Sequence, residues 1–252
     1  MDGIATQCGM VGGGALQRYL AKQSSLGAFS RWRLNESGVT AIDDIGSNNG
    51  TYTPNDGSSW TGGTQQISGQ IANDLGAQGD GSTGYISIPD SASLDVTAEL
   101  TIEGWVFTPS DVSVTQFLIH KEIIIPSFDL SYRLYYDSSN FIFYVSNDGS
   151  GTNRAVRRSS TIFSSTWYHV ACVFDSSSKL DIYLDGVLAN GSLLGSIPPS
   201  INSNNQDLTL FAREDSMGSF VGHTDSGLSN LAFYDKALSA SEISDLYDAA
   251  TL

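Results

Sequence analysis

The stretch TWYHVACVFDSSSKLDIYLDGVL, Thr166–Leu188, decides the fold, because its first half carries one histidine, His169, that is either a catalytic group or one more residue of a sheet. Strand side chains alternate between two faces. Trp167, His169, Ala171 and Val173 therefore share one face, and Tyr168, Val170, Cys172 and Phe174 share the other. Both faces are mostly apolar, which predicts a strand covered on both sides. In Lys179–Leu188, Leu180, Ile182 and Leu184 alternate with Asp181, Tyr183 and Asp185, the pattern of a strand with one buried and one wet face. Ser176–Ser178 makes the turn between the two, and Asp185-Gly186 supplies the positive φ angles of a tight hairpin into Val187 and Leu188. The segment reads as an antiparallel meander. His169 is then a strand residue by position, whereas catalytic groups concentrate on loops.

Working outward, the chain has 252 residues, enough for one large all-β domain with a substantial core. Twelve Lys and Arg against 27 Asp and Glu leave a net charge of −15, a surface that repels phosphate backbones and argues against nucleic acid as a partner. No apolar run approaches the roughly 20 residues that span a bilayer, so no membrane span is expected. Met1–Gly14 lacks the basic start and apolar run of a signal peptide. Cys8, in a glycine-rich tail, and Cys172, inside a strand, do not read as a disulfide framework; Cys172 reads as a small buried hydrophobe.

Three zones follow. Residues 1–27 form an N-terminal arm, in which Gly12-Gly13-Gly14 precede a short amphipathic helix with Leu16, Tyr19 and Leu20 on one side. That stripe either anchors the protein to a partner or folds back on its own body. Residues 28–252 form the main domain, a run of strands punctuated by turns such as "IGSNNGTY", "TPNDGSS", "QGDGSTG", "SNDGSGT" and "LDGV". The chain closes on a short helix. Ser239 and Glu242 form its capping box, Leu238 and Ile243 take the staple positions, and Ile243, Leu246, Tyr247 and Ala250 make the buried stripe.

Four segments carry a family resemblance: Phe29–Thr53, Gly79–Val106, Thr166–Leu188 and Gly227–Tyr247. In this order and spacing they resemble the laminin G-like domains of the concanavalin A-like lectin/glucanase superfamily. The resemblance implies an antiparallel two-sheet jelly-roll sandwich with a short C-terminal helix against its edge, and it makes the Trp-x-His-Val stretch a core strand. It also implies a glucanase branch, in which a Glu-x-Asp-x-x-Glu strand points paired carboxylates into a cleft. Retaining hydrolysis needs two such groups about 5–5.5 Å apart. Glu103 has no acidic mate on residues 101–108, and Glu214-Asp215 are adjacent, hence on opposite faces of any strand. No Gly-x-Ser-x-Gly elbow supports a nucleophilic site around His120, His169 or His223. The expectation is a protein without catalytic activity.

The resemblance further implies calcium at the rim, held by an Asp of the "GDG" turn and by an acidic residue before the last strand. Asp80 matches the first position. The second segment is Leu228-Ser229-Asn230, where Asn230 offers only a carbonyl oxygen, so the expectation is weak or absent calcium binding and no cofactor. Asp80-Gly81 reads equally as a plain turn. Carbohydrate is the ligand the resemblance implies most readily. Sugar sites pair a flat aromatic with Asn, Asp or Gln. The loops offer Tyr52, Asn55, Asp56, Trp60 and Tyr85, and also Tyr135, Tyr136, Asp137 and Asn140. Trp60 is read as exposed, because "NDGSSWTGG" is too polar for a strand interior. A glycan-binding module without an export signal or disulfides fits a bacteriophage virion released by lysis, as a decoration, fibre or tail protein. Its partners are then other virion or surface-assembly proteins, met through the arm, with a homo-oligomer also open. Two alternatives stand beside this: a purely structural virion protein without ligand, and a fragment of a secreted or cell-surface bacterial adhesin.

Overall fold

A computed structural model describes residues 14–216 and 218–252. Two antiparallel sheets pack face to face as a sandwich, in keeping with a jelly roll. The eight-stranded sheet runs Val187–Leu188, Lys179–Leu184, Trp167–Asp175, Glu99–Phe107, Gly227–Tyr234, Leu75–Gly79 and Gly63–Ser68, with Ser30–Trp32 also pairing on Gly227–Tyr234. The nine-stranded sheet runs Asn190–Leu194, Arg154–Thr161, Asn140–Gly149, Asp129–Asp137, Gln116–Ile123, Leu208–Leu210, Tyr85–Ile88, Gly50–Thr53 and Thr40–Ala41.

The alternation read in Thr166–Leu188 is realised on both faces. Val170, Cys172 and Phe174 join Ile102, Phe141, Phe143, Ile182 and Phe233 in the core between the sheets. Ala171 and Val173 point outward into a second apolar layer with Trp105, Tyr183 and Tyr234. Asp185 and Gly186 close the hairpin at φ 50° and 79°. A Cβ on Gly186 would stand 3.0 Å from Cβ of Tyr247, so the turn also needs glycine for close approach to the last helix.

That second layer is covered by helices α1 (Ala15–Ser25) and α2 (Ala240–Thr251). In α2 the capping box of Ser239 and Glu242 forms as expected, and Ile243, Leu246 and Ala250 are buried. In α1, Leu16 and Tyr19 are buried in the same layer and Leu20 packs on it half-exposed. This corrects the flexible or anchoring arm for residues 14–27. The stripe covers its own sheet because the outer face of Trp167–Asp175 and Glu99–Phe107 is too apolar to be left wet. Lys22 ties α1 to α2 through an ion pair with Asp245, 2.7 Å away. Residues 1–13, including Cys8 and the first two glycines of the joint, lie outside the described residues. Among the described residues, no helix is long and apolar enough to cross a membrane.

Candidate functional site

His169 pairs with Trp105 across the sheet and is fully buried. Its Nε2 lies 3.0 Å from Oε2 of Glu103, which is 1% exposed. Glu103 also accepts from the Tyr19 hydroxyl at 2.5 Å, Gln23 Nε2 at 2.8 Å and the Tyr234 hydroxyl at 2.9 Å. Burial, and then the neighbouring Glu103 carboxylate, pushes both tyrosines well above their ordinary pKa, so each stays a neutral donor. A buried carboxylate ringed by four donors is satisfied and held in place, with no lone pair aimed at solvent. The histidine is structural.

The rim loop does not present the aromatics expected of it. Tyr52 is fully buried and Trp60 is 5% exposed. Trp60 folds under its loop to pack 5.2 Å from the Tyr52 ring and 5.4 Å from Phe211, and its indole N–H donates to the Thr53 carbonyl at 3.0 Å. The polar loop is a short hairpin around an Asn55–Trp60 bridge, which turns the indole inward where its N–H finds a partner. Asn55 and Asp56 are exposed, yet their side chains build the turn. Asn55 donates to the Tyr52 carbonyl at 2.6 Å, and Asp56 accepts from the backbone N–H groups of Ser58 and Ser59, which hold its carboxyl far below the usual range. Tyr85 is half-exposed and stacks on Phe220 at 3.7 Å. It stands apart from Tyr52 and Trp60 as a two-ring platform.

Asp80 and Asn230 are not brought together. Asn230 donates to Asp74 at 2.5 Å, at one end of the strand Leu75–Gly79, and Asp80 follows the other end. At about 3.3 Å per residue, Asp74 and Asp80, at opposite ends, stand roughly 20 Å apart. Although partial burial opposes it, Asp80 is held far below the usual carboxylate range by hydrogen bonds from Thr83, Gly84 and Ser82 in its own turn. Asp225 approaches this turn with its Oδ1 buried and unpartnered, a neighbour that sequence spacing did not reveal. Among the described residues no three metal-ligating side chains converge.

The outer face of the nine-stranded sheet is a different surface. One rung crosses five strands as His120, Arg133, Tyr144, Val156 and Leu194; the next carries Phe117, Tyr135, Ile142 and Arg158. Together Arg133, Tyr135, Tyr144, Arg154, Val156 and Arg158 line a hollow of about 210 Å³ that Leu194 borders at the sheet edge. Tyr144 lies between two guanidinium groups, with Arg133 4.2 Å and Arg154 5.6 Å from its ring centre. Arg133 is tied beneath by Glu122 at 3.0 Å, and Glu122 in turn is 2.7 Å from His120 Nδ1. Burial alone would raise Glu122, but the His120 bond and the charges of Arg133 and Arg213 hold it low. Burial pushes His120 down to about 4. The ring is therefore neutral near pH 7, with Nδ1 donating to the carboxylate.

A sandwich whose family residues occupy a common order of strands, with the Trp-x-His-Val stretch in a central one, can be set beside known proteins. A laminin G family model, described as the concanavalin A-like lectin/glucanases superfamily, matches residues 80–244. The chain belongs to the concanavalin A-like lectin/glucanases superfamily. Among solved structures, this laminin G-like domain is similar to a Trypanosoma rangeli sialidase in complex with sialic acid, at 11% identity and a TM-score of 0.63, covering 92% of this chain and 37% of that one. It is also similar to the binding domain of Paraclostridial Mosquitocidal Protein 1, at 15% identity and 0.63, covering 87% and 51%. A third match is the binding domain of botulinum neurotoxin serotype G, at 16% and 0.59, covering 87% and 50%. The domain thus spans from about two fifths to about half the length of these structures. No curated protein matches it.

Of the second group of loop candidates, Tyr135 lies in the hollow and Asp137 at its border, whereas Tyr136 is fully buried in the core and Asn140 is half-buried. Arg133, Tyr144, Arg154 and Arg158 escaped sequence reasoning. The signal was present as period-two spacing: Arg133 with Tyr135, and Arg154, Val156 and Arg158, each set on one face.

Proposed function

We propose that the protein is a non-catalytic carbohydrate-recognition domain and that its binding surface is the outer face of the nine-stranded sheet around Tyr135 and Tyr144. One observation carries the reading: a concave hollow in which aromatic rings and hydrogen-bonding side chains converge, the composition a sugar site needs. The superfamily and the binding domains among its structural neighbours support it. The saturated Glu103, beside a histidine without access to solvent, supports the non-catalytic part. A glycan array probed with the full chain tests the reading. Specific binding that Tyr135→Ala weakens supports it. Silence across neutral and acidic glycans, with the protein folded, overturns it.

The setting we propose is a virion surface, as a decoration, fibre or tail component. Proteomics of purified phage particles from the source culture tests this. Val187, Leu188, Leu193 and Leu194 favour a second reading, an assembly component: all four are exposed, on the outermost strands of the two sheets. Light scattering of the purified chain separates a self-associating protein from a monomeric binder.

A further inference from the structure

Among the described residues most cations of this acidic chain sit within 4.0 Å of an acid; Arg157 and Lys179 do not, and the hollow contains a third that does not. Arg31, Lys121, Arg133, Arg213 and Lys236 each lie within hydrogen-bond distance of an acid. Arg154, among the described residues, has no carboxylate within 4.0 Å; its guanidinium faces Tyr144 and donates to the Gly151 carbonyl. Arg158, four residues along the same strand face, is 3.9 Å from Asp137, beyond a good hydrogen bond. The strand rise places the two arginines about 13 Å apart along the strand, with Val156 between them and Tyr144 beside it. Arg133 offers no charge of its own, since Glu122 neutralises it from below.

The hollow therefore has an apolar floor, a tyrosine wall and two guanidinium groups, Arg154 with no acid within 4.0 Å among the described residues and Arg158 only loosely matched by Asp137. A guanidinium matches the planar fork of a carboxylate or two oxygens of a sulfate, and a neutral ligand covering it would strip its water without return. We infer that the ligand of this face is an anionic glycan, whose carboxylate or sulfate meets Arg154 or Arg158 while its apolar ring face lies over Val156 and against Tyr135. The inference rests on the carbohydrate reading above and narrows it.

Titration calorimetry of the full chain with sialyllactose, a sulfated lactose oligosaccharide bearing no carboxylate, and lactose tests it. Binding of sialyllactose assigns the anion as carboxylate, and binding of the sulfated oligosaccharide without sialyllactose assigns it as sulfate. Arg154→Gln and Arg158→Gln each weaken that binding by roughly tenfold or more, Arg154→Lys by less, and Lys179→Gln, on the other sheet, not at all. Melting temperatures of all four variants stay at the parent value, so loss of binding is separated from loss of fold. Lactose binding as tightly as either anionic probe overturns the anionic assignment and leaves the carbohydrate reading standing. Anionic binding indifferent to Arg154→Gln and Arg158→Gln overturns the site. Absence of all binding, here and on the array, removes both readings together.

Discussion

Tyr19 and Glu103, 84 residues apart in the chain, share a 2.5 Å hydrogen bond inside the protein. The bond joins α1 to a central strand, and Gln23, one turn further along the helix, donates to the other oxygen of the same carboxylate at 2.8 Å. The helix is thus part of the domain. Truncating residues 1–27 strips two donors from a buried carboxylate and uncovers the layer around Trp105 and Tyr183. The expected outcome is aggregation or a marked drop in melting temperature. The single change Tyr19→Phe isolates the bond, and is expected to cost about 1.5–3 kcal/mol in urea denaturation. A truncated chain that melts like the parent contradicts this account.

His169 sits among Tyr19, Trp105 and Tyr247, with ring centres 5.4 to 6.1 Å away. His169→Ala leaves a cavity there and removes one of the four donors to Glu103. Stability falls by something on the order of 1–3 kcal/mol, and His169→Gln recovers part of it by restoring a donor. Glycan binding at the opposite sheet is unchanged. Full stability with lost binding is the result that would make the histidine functional.

Acid destabilises the domain through His120. In the unfolded chain this imidazole takes up a proton near 6.5, and in the folded protein burial delays uptake to about 4. Between those values the unfolded state binds more protons, so stability falls as pH falls through the window, by on the order of 3 kcal/mol in all. Glu122 acts in the same direction: its folded pKa is held low, so the stability it contributes above its unfolded value is lost as pH falls further. Denaturation midpoints measured from neutral pH down to about 4 should decline, and His120→Gln should flatten the upper part of that decline. A midpoint that does not move across this range excludes the assignment.

Calcium should leave the melting temperature almost unmoved, as should chelation by EDTA, since Asp80 is occupied by its own turn and Asn230 stands against Asp74 at the far end of the strand. A strong rise at micromolar calcium, removed by Asp80→Ala, is the opposite outcome.

The parts of the fold that local pattern governs were legible in the chain. The two apolar faces of Trp167–Phe174, the Asp185-Gly186 turn and the Ser239 capping box each depend on residues a few positions apart. Where long-range contact decides, the pattern was mute or misleading. Leu16 and Tyr19 show an apolar stripe, but the surface it covers is set by Glu103 and Trp105, far along the chain. Trp60 stands in a polar stretch, and only its packing on Tyr52 and Phe211 shows why that stretch turns inward. The arginine-lined hollow needed four strands in register. In Tyr132–Asp137 aromatics occur on both faces, and alternation alone does not say that Tyr135 meets Arg133 and Tyr144 outside while Tyr132 and Tyr136 fill the core.

The two helices also fix how the domain can be held. α1 and α2 lie side by side on the outer face of the eight-stranded sheet, so Gly14 and Leu252 both stand on that side. The arginine-lined hollow is on the far side of the sandwich, on the outer face of the other sheet. A partner that gripped α1 and α2 would hold the domain from the back and leave the hollow facing away from it.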